Sequence, residues 1–269
     1  MERLHLPKTQ RTSGPPMTPT TVSDELGRVA AVFFDSGGTL ARPLGGDWWP
    51  KPRFAELIGD AGLPIPDDEH TRAALEAGSG HLARHQEMAT FDDEVDVYIG
   101  FYRIVLRALY DYAPDSLVRA LAEASVFELD QQPYEDTLPV LQALADSGIR
   151  LGIVSNAGPS LELRYRDMGL RRFFDPFVIS AMVASEKPAT RIYEIALERA
   201  ALEPGDVVFV DDVAENVRAA AGLGMRAYLI DREGLADVSE LPVLPDLREL
   251  AVIIGGARIA PTTVDDHGG

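Results

Sequence analysis

The chain has 269 residues, of which 46% are hydrophobic and 25% charged, with a formal net charge of −18, so it can form one large α/β domain or a core with a smaller unit. The negative charge opposes general nucleic-acid binding, and no apolar run reaches membrane-spanning length. The absence of cysteine excludes a disulfide framework, a thiolate zinc site and a cysteine nucleophile.

The first segments are a polar tail and a strand. Residues 1–28 are rich in Pro and Thr and have no apolar signal core, which predicts a disordered tail and a cytoplasmic protein. The apolar run 29–34 predicts a buried strand, and Asp35 follows it where open α/β sheets bind their ligands. Gly37 and Gly38 allow the backbone to turn sharply and to approach an anion.

The stretch 45–132 predicts helices and no strand. After a loop, helical segments are expected from about Phe54 to Gly62 and over 67–90, 93–112 and 114–127, the second weakened by Gly78 and Gly80. An all-helical insert in an α/β chain is best described as a separate small bundle. Trp48 and Trp49, in the loop before it, either stack on an aromatic substrate or anchor the loop.

From Pro133 onward, helices and strands alternate, as is typical of a parallel sheet. Helices are predicted at 137–147, 160–168, 189–201 and 214–223. Strands are predicted at 150–154, 177–180, 206–210 and 226–230. The segment 247–254 fits either state. The predicted organisation is an α/β core of 29–44 and 133–255, a helical insert of 45–132 and a polar tail of 256–269.

Polar residues follow several of these elements. Ser155 and Asn156 end a strand and can donate hydrogen bonds to a phosphate oxygen, although such residues often only form turns. Lys187, before a helix, is one of three lysines against 22 arginines, which suggests a compact point charge, although the residue taken alone fits an exposed lysine better. Asp211 and Asp212 follow another strand, and adjacent carboxylates repel unless a cation neutralises them.

Taken in order, these segments resemble the haloacid dehalogenase-like (HAD) hydrolase superfamily over about residues 29–235. The resemblance implies a Rossmann-like parallel-sheet core with a helical cap, and Asp35 as the nucleophile that forms an aspartyl-phosphate. It implies Mg²⁺ as the cofactor, with ligands from Asp35, the Gly37 carbonyl, Asp211 and Asp212. It implies phosphate binding by Gly38, Thr39, Ser155, Asn156 and Lys187.

Gly37 departs from the pattern of the family, which has an aspartate here that protonates the leaving oxygen and later activates water. General acid–base help of this kind is typically worth about 10²–10⁴-fold in rate, or about 3–5 kcal/mol. Either the leaving group departs unprotonated, or Asp47, His81 or His85 substitutes, or turnover is slow. The i, i+4 spacing of the two histidines is also that of a zinc-binding pair, but the glutamate of that motif does not follow His81, and two exposed histidines on a helix are the favoured interpretation.

The leading hypothesis is a magnesium-dependent phosphatase for a small phosphorylated metabolite, acting as a monomer or homodimer. One alternative is a catalytically degenerate phosphate-binding or regulatory protein. Another is a carbon–phosphorus hydrolase that uses Lys51 as a Schiff base. The retained pair Asp211 and Asp212 argues against the metal-free dehalogenases, which carry a large residue at position 37.

Overall fold

A parallel β-sheet forms the centre of the protein. The computed structural model describes residues 29–235 and 240–255, so both predicted tails lie outside the described residues. The strands are β1 (Ala31–Phe34), β2 (Ala41–Pro43), β3 (Gln131–Pro133), β4 (Arg150–Ser155), β5 (Phe174–Ile179), β6 (Val207–Asp211), β7 (Arg226–Ile230) and β8 (Val243–Leu244). The sheet has six parallel strands in the order β5-β4-β1-β6-β7-β8, which confirms the predicted fold class.

Helices surround this sheet and form a separate group after β2. They are α1 (Phe54–Asp60), α2 (Asp68–Arg84), α3 (Phe91–Tyr110), α4 (Asp115–Phe127), α5 (Thr137–Asp146), α6 (Leu161–Asp167), α7 (Ser180–Val183), α8 (Thr190–Ala200), α9 (Ala214–Gly222) and α10 (Leu247–Gly255). Among the described residues, no helix combines the length and apolarity that a membrane span requires.

The central strand β1 is buried on both faces, which explains its unbroken apolar sequence. Val32 and Phe34 pack into one hydrophobic cluster, and Ala31 and Phe33 into another on the opposite face. All four residues are 0% exposed. Because side chains alternate along a strand, a run buried on both sides must be apolar throughout. The end of β1 is therefore held rigidly between β4 and β6.

Helices α1 to α4, the helical unit, pack around a hydrophobic cluster of their own that includes Phe54, Ile58 and Phe101. The sequence analysis treated Gly78 only as a residue that weakens its helix, but the glycine has a packing role. A Cβ at Gly78 would lie 2.7 Å from the Phe101 ring, so the missing side chain lets α2 approach α3 closely. Helix α2 also ends at Arg84, earlier than predicted, and Thr90 caps α3 through a capping box with Asp93.

Two short strands at the base of the helical unit were absent from the sequence prediction. β2 pairs antiparallel with β3, with Ala41 opposite Pro133, and joins the chain segments that lead into and out of the helices. Neither strand shows apolar alternation and each contains a proline, so the local pattern gives no strand signal.

The later elements follow the predicted alternation closely. β7 spans the predicted residues, while β5 begins at Phe174 instead of Phe177 because an edge strand tolerates Pro176. The ambiguous segment is the helix Leu247–Gly255, and the two-residue strand β8 before it was not predicted.

A buried network of charged groups joins the helical unit to the α/β core. Arg164 in α6 donates to Asp130 Oδ1 at 2.6 Å, to the Ser125 carbonyl of α4 at 2.6 Å and to Ser160 Oγ. Glu94 of α3 accepts from the Ser160 N–H at 2.7 Å and from its hydroxyl at 2.6 Å. Arg164 and Asp130 are 7% and 6% exposed, so their pairing is shielded from water.

Replacing Arg164 with methionine should lower the free energy of unfolding by about 3–5 kcal/mol, because it leaves Asp130 short of a partner in a buried site. Arg166→Met is the matched control. Arg166 lies on the same helix with its side chain 61% exposed and pairs with Glu162, so its loss should cost under about 1 kcal/mol. Urea unfolding of both variants measures the difference, and equal losses would mean that the buried network adds nothing special.

Candidate active site

The carboxyl ends of two neighbouring strands bring the three predicted acids together. Asp35 follows β1, and Asp211 and Asp212 stand at the end of β6, the strand paired with it. One carboxylate oxygen from each of the three residues lies within 4.8 Å of the other two. Parallel strands end at a common edge of the sheet, which is why residues 176 positions apart in the chain meet here.

Lys187 lies between two of these carboxylates. Its ammonium donates to Asp35 Oδ1 and to Asp211 Oδ2, each at 2.6 Å. The residue is 4% exposed, so both contacts are largely desolvated. Burial alone would lower the pKa of Lys187, but the charges of Asp35 and Asp211 outweigh it and hold that pKa above its usual value. Lys187 is therefore a permanent positive charge beside Asp35.

Asp211 is held in place by the start of α9. Its Oδ1 accepts from the Val213 N–H at 2.8 Å, and Asn216 Nδ2 lies 3.1 Å from both carboxylate oxygens. Burial, followed by the charge of Asp35, raises the pKa of Asp211 to about 6. The sequence analysis gave Asn216 no role, and this contact identifies it as a residue that positions Asp211.

Asp212 lies against the backbone of the loop after β1. An added Cβ at Gly38 would come within 2.1 Å of Asp212 Oδ2, and the φ of Gly38 is +78°. Only glycine combines this backbone angle with this approach. Desolvation and then the charges of Asp35 and Asp211 raise the pKa of Asp212 to about 7. The three acids thus carry more negative charge than Lys187 neutralises.

This donor set fits a hard divalent cation. Magnesium prefers oxygen ligands at about 2.1 Å, so oxygens on opposite sides of the ion lie about 4.2 Å apart. The observed span of at most 4.8 Å between carboxylate oxygens is close to that value. The raised pKa values of Asp211 and Asp212 have the direction expected for acids brought together without a cation.

The residues predicted to bind phosphate have different environments. The side-chain amide of Asn156 makes two hydrogen bonds with the main chain of Lys187. Its Oδ1 accepts from the Lys187 N–H and its Nδ2 donates to the Lys187 carbonyl, each at 2.8 Å. Its observed contacts therefore position Lys187. The Gly38 N–H donates to the Ala41 carbonyl at 2.9 Å, so this hydrogen bond already occupies the group assigned to phosphate.

The two hydroxyl residues of that set are buried. Ser155 ends β4, next to β1, and is 4% exposed. Thr39 is 0% exposed, and its hydroxyl has no hydrogen-bond partner among the described residues. Tyr165, which the sequence analysis did not single out, donates to Ser36 Oγ at 2.9 Å and braces the loop after Asp35.

Comparison with known proteins agrees with this arrangement. The family model described as haloacid dehalogenase-like hydrolase matches residues 29–224. The chain belongs to this family. The matched range includes β1 and β6, the neighbouring central strands of this HAD-like hydrolase that bring Asp35 and Asp211 together.

Three relatives illustrate the similarity. A phosphatase from Mycobacterium tuberculosis is 31% identical over 236 residues, covering 85% of this chain and 98% of that protein. A glyceraldehyde 3-phosphate phosphatase from Methanopyrus kandleri is 33% identical over 223 residues, covering 78% of this chain and 87% of that protein. The crystal structure of a HAD phosphatase from Thermococcus onnurineus superposes with a TM-score of 0.58 at 27% identity. The superposition covers 86% of this chain and 100% of that one.

The residues proposed to replace the missing acid lie in different places in this HAD-like hydrolase. Asp47 lines a cavity inside the helical unit. The His81 ring lies against Gly100 of α3, where its Nε2 is buried without a hydrogen-bond partner among the described residues. His85 stacks on His81 at 4.1 Å and lines a cavity of about 250 Å³ together with Asn156, between the helical unit and the core.

The two tryptophans of the loop before α1 have separate environments. Trp49 packs on Phe101 at a ring distance of 5.0 Å and also contacts Tyr98 and Tyr102, so it anchors the loop. Trp48 is 39% exposed and lies over Gly37, where an added Cβ would come within 2.9 Å of its Cζ2. The sequence posed anchoring and substrate stacking as alternatives, and Trp49 has the contacts of an anchor.

Proposed function

We propose that this HAD-like hydrolase is a magnesium-dependent phosphatase that acts on a small phosphorylated metabolite through an aspartyl-phosphate on Asp35. The observation that supports this most strongly is the convergence of one lysine and three carboxylates at the carboxyl ends of β1 and β6. Phosphoryl transfer depends chiefly on positioning and charge neutralisation, and this cluster provides both.

In the proposed reaction, a carboxylate oxygen of Asp35 attacks phosphorus and the bond from phosphorus to the leaving oxygen breaks. The leaving oxygen keeps the electron pair of that bond and later takes a proton from water. A water molecule then attacks phosphorus, and the bond from phosphorus to the Asp35 oxygen breaks, which regenerates the Asp35 carboxylate. Phosphate leaves with one proton of that water, and the other proton passes to the solvent. Lys187 stays charged throughout, so it offsets the negative charge on Asp35 and on the transferring group.

Asp35, Asp211, Asp212 and the Gly37 carbonyl would hold the metal. Bound there, a magnesium ion supplies the positive charge that brings a phosphate dianion next to several carboxylates. The helical unit would act as a cap over this edge of the sheet, with residues 45–132 as its proposed extent, and its closure would exclude water.

The glycine at position 37 sets the demand on the leaving group. Without an acid there, the departing oxygen carries its full negative charge, a deficit of about 3–5 kcal/mol relative to an enzyme with a proton donor. Acyl, enol and aryl phosphates meet this demand because their leaving groups are weakly basic. We therefore place the preferred substrate in that group.

The alternative of carbon–phosphorus cleavage through Lys51 finds less support. The Lys51 ammonium pairs with Asp130 and lies 4.9 Å from the centre of the Trp49 ring. The cavity beside it measures about 20 Å³, room for a single water molecule and not for a substrate. Burial lowers the pKa of Lys51, although Asp130 opposes this, but a reactive amine needs access as well.

A panel of phosphorylated compounds, assayed for phosphate release with magnesium and after chelation, tests the proposal. We expect turnover of phenyl phosphate and an enol phosphate, weaker turnover of glycerol phosphate, and loss of all three with chelator. Glyceraldehyde 3-phosphate belongs in the panel because a relative is named for it. Turnover of no member with magnesium present would favour the degenerate, phosphate-binding alternative.

A further inference from the structure

Trp48 occupies the space that a side chain at position 37 would need. The indole lies so close to Gly37 that an added Cβ would meet Cζ2 at 2.9 Å, Cη2 at 3.3 Å and Cε2 at 3.7 Å. Position 37 follows the nucleophile Asp35 by two residues. The glycine and the tryptophan therefore form one structural unit, in which the ring covers the backbone that the glycine leaves bare.

The loop that carries Trp48 is restrained, while part of Trp48 itself is exposed. Its neighbour Trp49 is packed among aromatic residues of the helical unit, which restrains the loop that carries Trp48. The 39% exposed fraction of Trp48 shows that part of the indole remains available beside the nucleophile loop. An exposed aromatic surface beside a site that is otherwise made of charged groups suits contact with an apolar, planar group.

We propose that Trp48 is a specificity-determining residue that selects phosphate esters with a planar, conjugated leaving group, such as aryl or enol phosphates. This inference rests on the proposed phosphatase function and extends it. The ring offers a surface for the leaving group and keeps water out of the place where a proton donor would stand. A conjugated oxygen leaves as a delocalised anion, so it needs neither the donor nor the water.

The contact at position 37 also predicts that the two residues are coupled. In Gly37→Asp alone, the new side chain must displace the indole before its carboxyl group can point toward a leaving oxygen. In Gly37→Asp combined with Trp48→Ala, that space is free. The benefit of the new acid should therefore depend on the second substitution, a non-additivity that a double-mutant cycle measures directly.

The experiment compares wild type, Gly37→Asp, Trp48→Ala and the double variant, with Trp49→Phe as the control for loss of an indole. Values of kcat/KM are measured with magnesium for phosphate esters of graded leaving-group pKa. The kcat/KM of the wild-type enzyme should fall steeply as the basicity of the leaving group rises. In Trp48→Ala, kcat/KM should fall about 10-fold for phenyl phosphate and little for glycerol phosphate. A 10-fold fall is the size of effect expected from the loss of one apolar contact. Trp49→Phe should lower the melting temperature and keep the wild-type slope.

The double variant should gain at least about 10²-fold on glycerol phosphate over Trp48→Ala, while Gly37→Asp should gain little over wild type. An equal gain in Gly37→Asp and in the double variant would overturn the inference, because the ring would then not occupy the acid's place. An unchanged ratio of phenyl to glycerol phosphate turnover in Trp48→Ala would also overturn it.

A binding measurement separates this inference from the proposed function. The chain has two tryptophans, so Trp49→Phe leaves Trp48 as the sole indole fluorophore. Combined with Asp35→Asn to stop turnover, it should show a change in Trp48 emission on titration with phenyl phosphate and none with glycerol phosphate. If wild type hydrolyses phenyl phosphate but the emission does not respond, the inference fails and the phosphatase function stands. If wild type hydrolyses no ester, both fail.

Discussion

Replacing Asp35 with asparagine should abolish phosphate release from every substrate, a fall of at least about 10³-fold in kcat. The amide keeps the shape of the carboxylate but is a poor nucleophile and carries no charge for a cation. Asp35 is 8% exposed, and its Oδ1 accepts from Lys187, a contact that an asparagine oxygen can still make. We therefore expect the variant to fold.

The control for Asp35→Asn is the same chemical change at an exposed site. Asp167 ends helix α6 and is exposed, so Asp167→Asn should retain the wild-type rate. Circular dichroism and thermal melting establish that both variants are folded. Persistent turnover by a folded Asp35→Asn enzyme, free of wild-type contamination, would show that another residue attacks phosphorus.

Replacing Lys187 with methionine should have two large effects. Among the described residues, Lys187 is the only cation that contacts Asp35 and Asp211. These two aspartates are 8% and 0% exposed. Leaving a buried charge unpaired should lower the free energy of unfolding by about 3–5 kcal/mol. The unfolding experiment should use metal-free buffer, because a bound cation would offset the loss. Catalysis should fall about 10²–10³-fold in kcat because the transferring phosphoryl group loses a fixed positive charge.

Lys51→Met separates these two effects. Lys51 is the other lysine of the described residues, and it is also mostly buried and paired with a carboxylate. Its loss should destabilise the protein while leaving kcat close to wild type, since its partner Asp130 belongs to the network that joins the helical unit to the core. Equal kcat values for Lys51→Met and Lys187→Met would contradict the role given to Lys187.

The sequence predicted the strand ends well because they are local patterns. The apolar run before Asp35 and the one before Asp211 each mark a strand with both faces buried, and parallel strands end at one edge of the sheet. The family resemblance then assigned the roles. The alternation of helices and strands after Pro133 was also predicted, apart from the start of β5, the short helix α7 and the strand β8.

The features that the sequence missed depend on contacts between distant residues. Nothing near Asn156 in the chain shows that its amide binds the main chain of Lys187, and nothing near Gly37 places Trp48 over it. The buried network around Arg164 likewise joins α3, α4 and α6, which no periodicity connects. Gly78 was taken as a helix-weakening residue because its packing partner lies on another helix.

Rapid acid quenching during turnover, followed by peptide mass mapping, tests the central claim most directly. The account predicts that phenyl phosphate with magnesium leaves one phosphoryl group on the peptide that contains Asp35, and that hydroxylamine removes it as expected for an acyl phosphate. The label should be absent in Asp35→Asn. Phosphate release with no labelled peptide at any quench time, or a label on a different residue, would contradict the account.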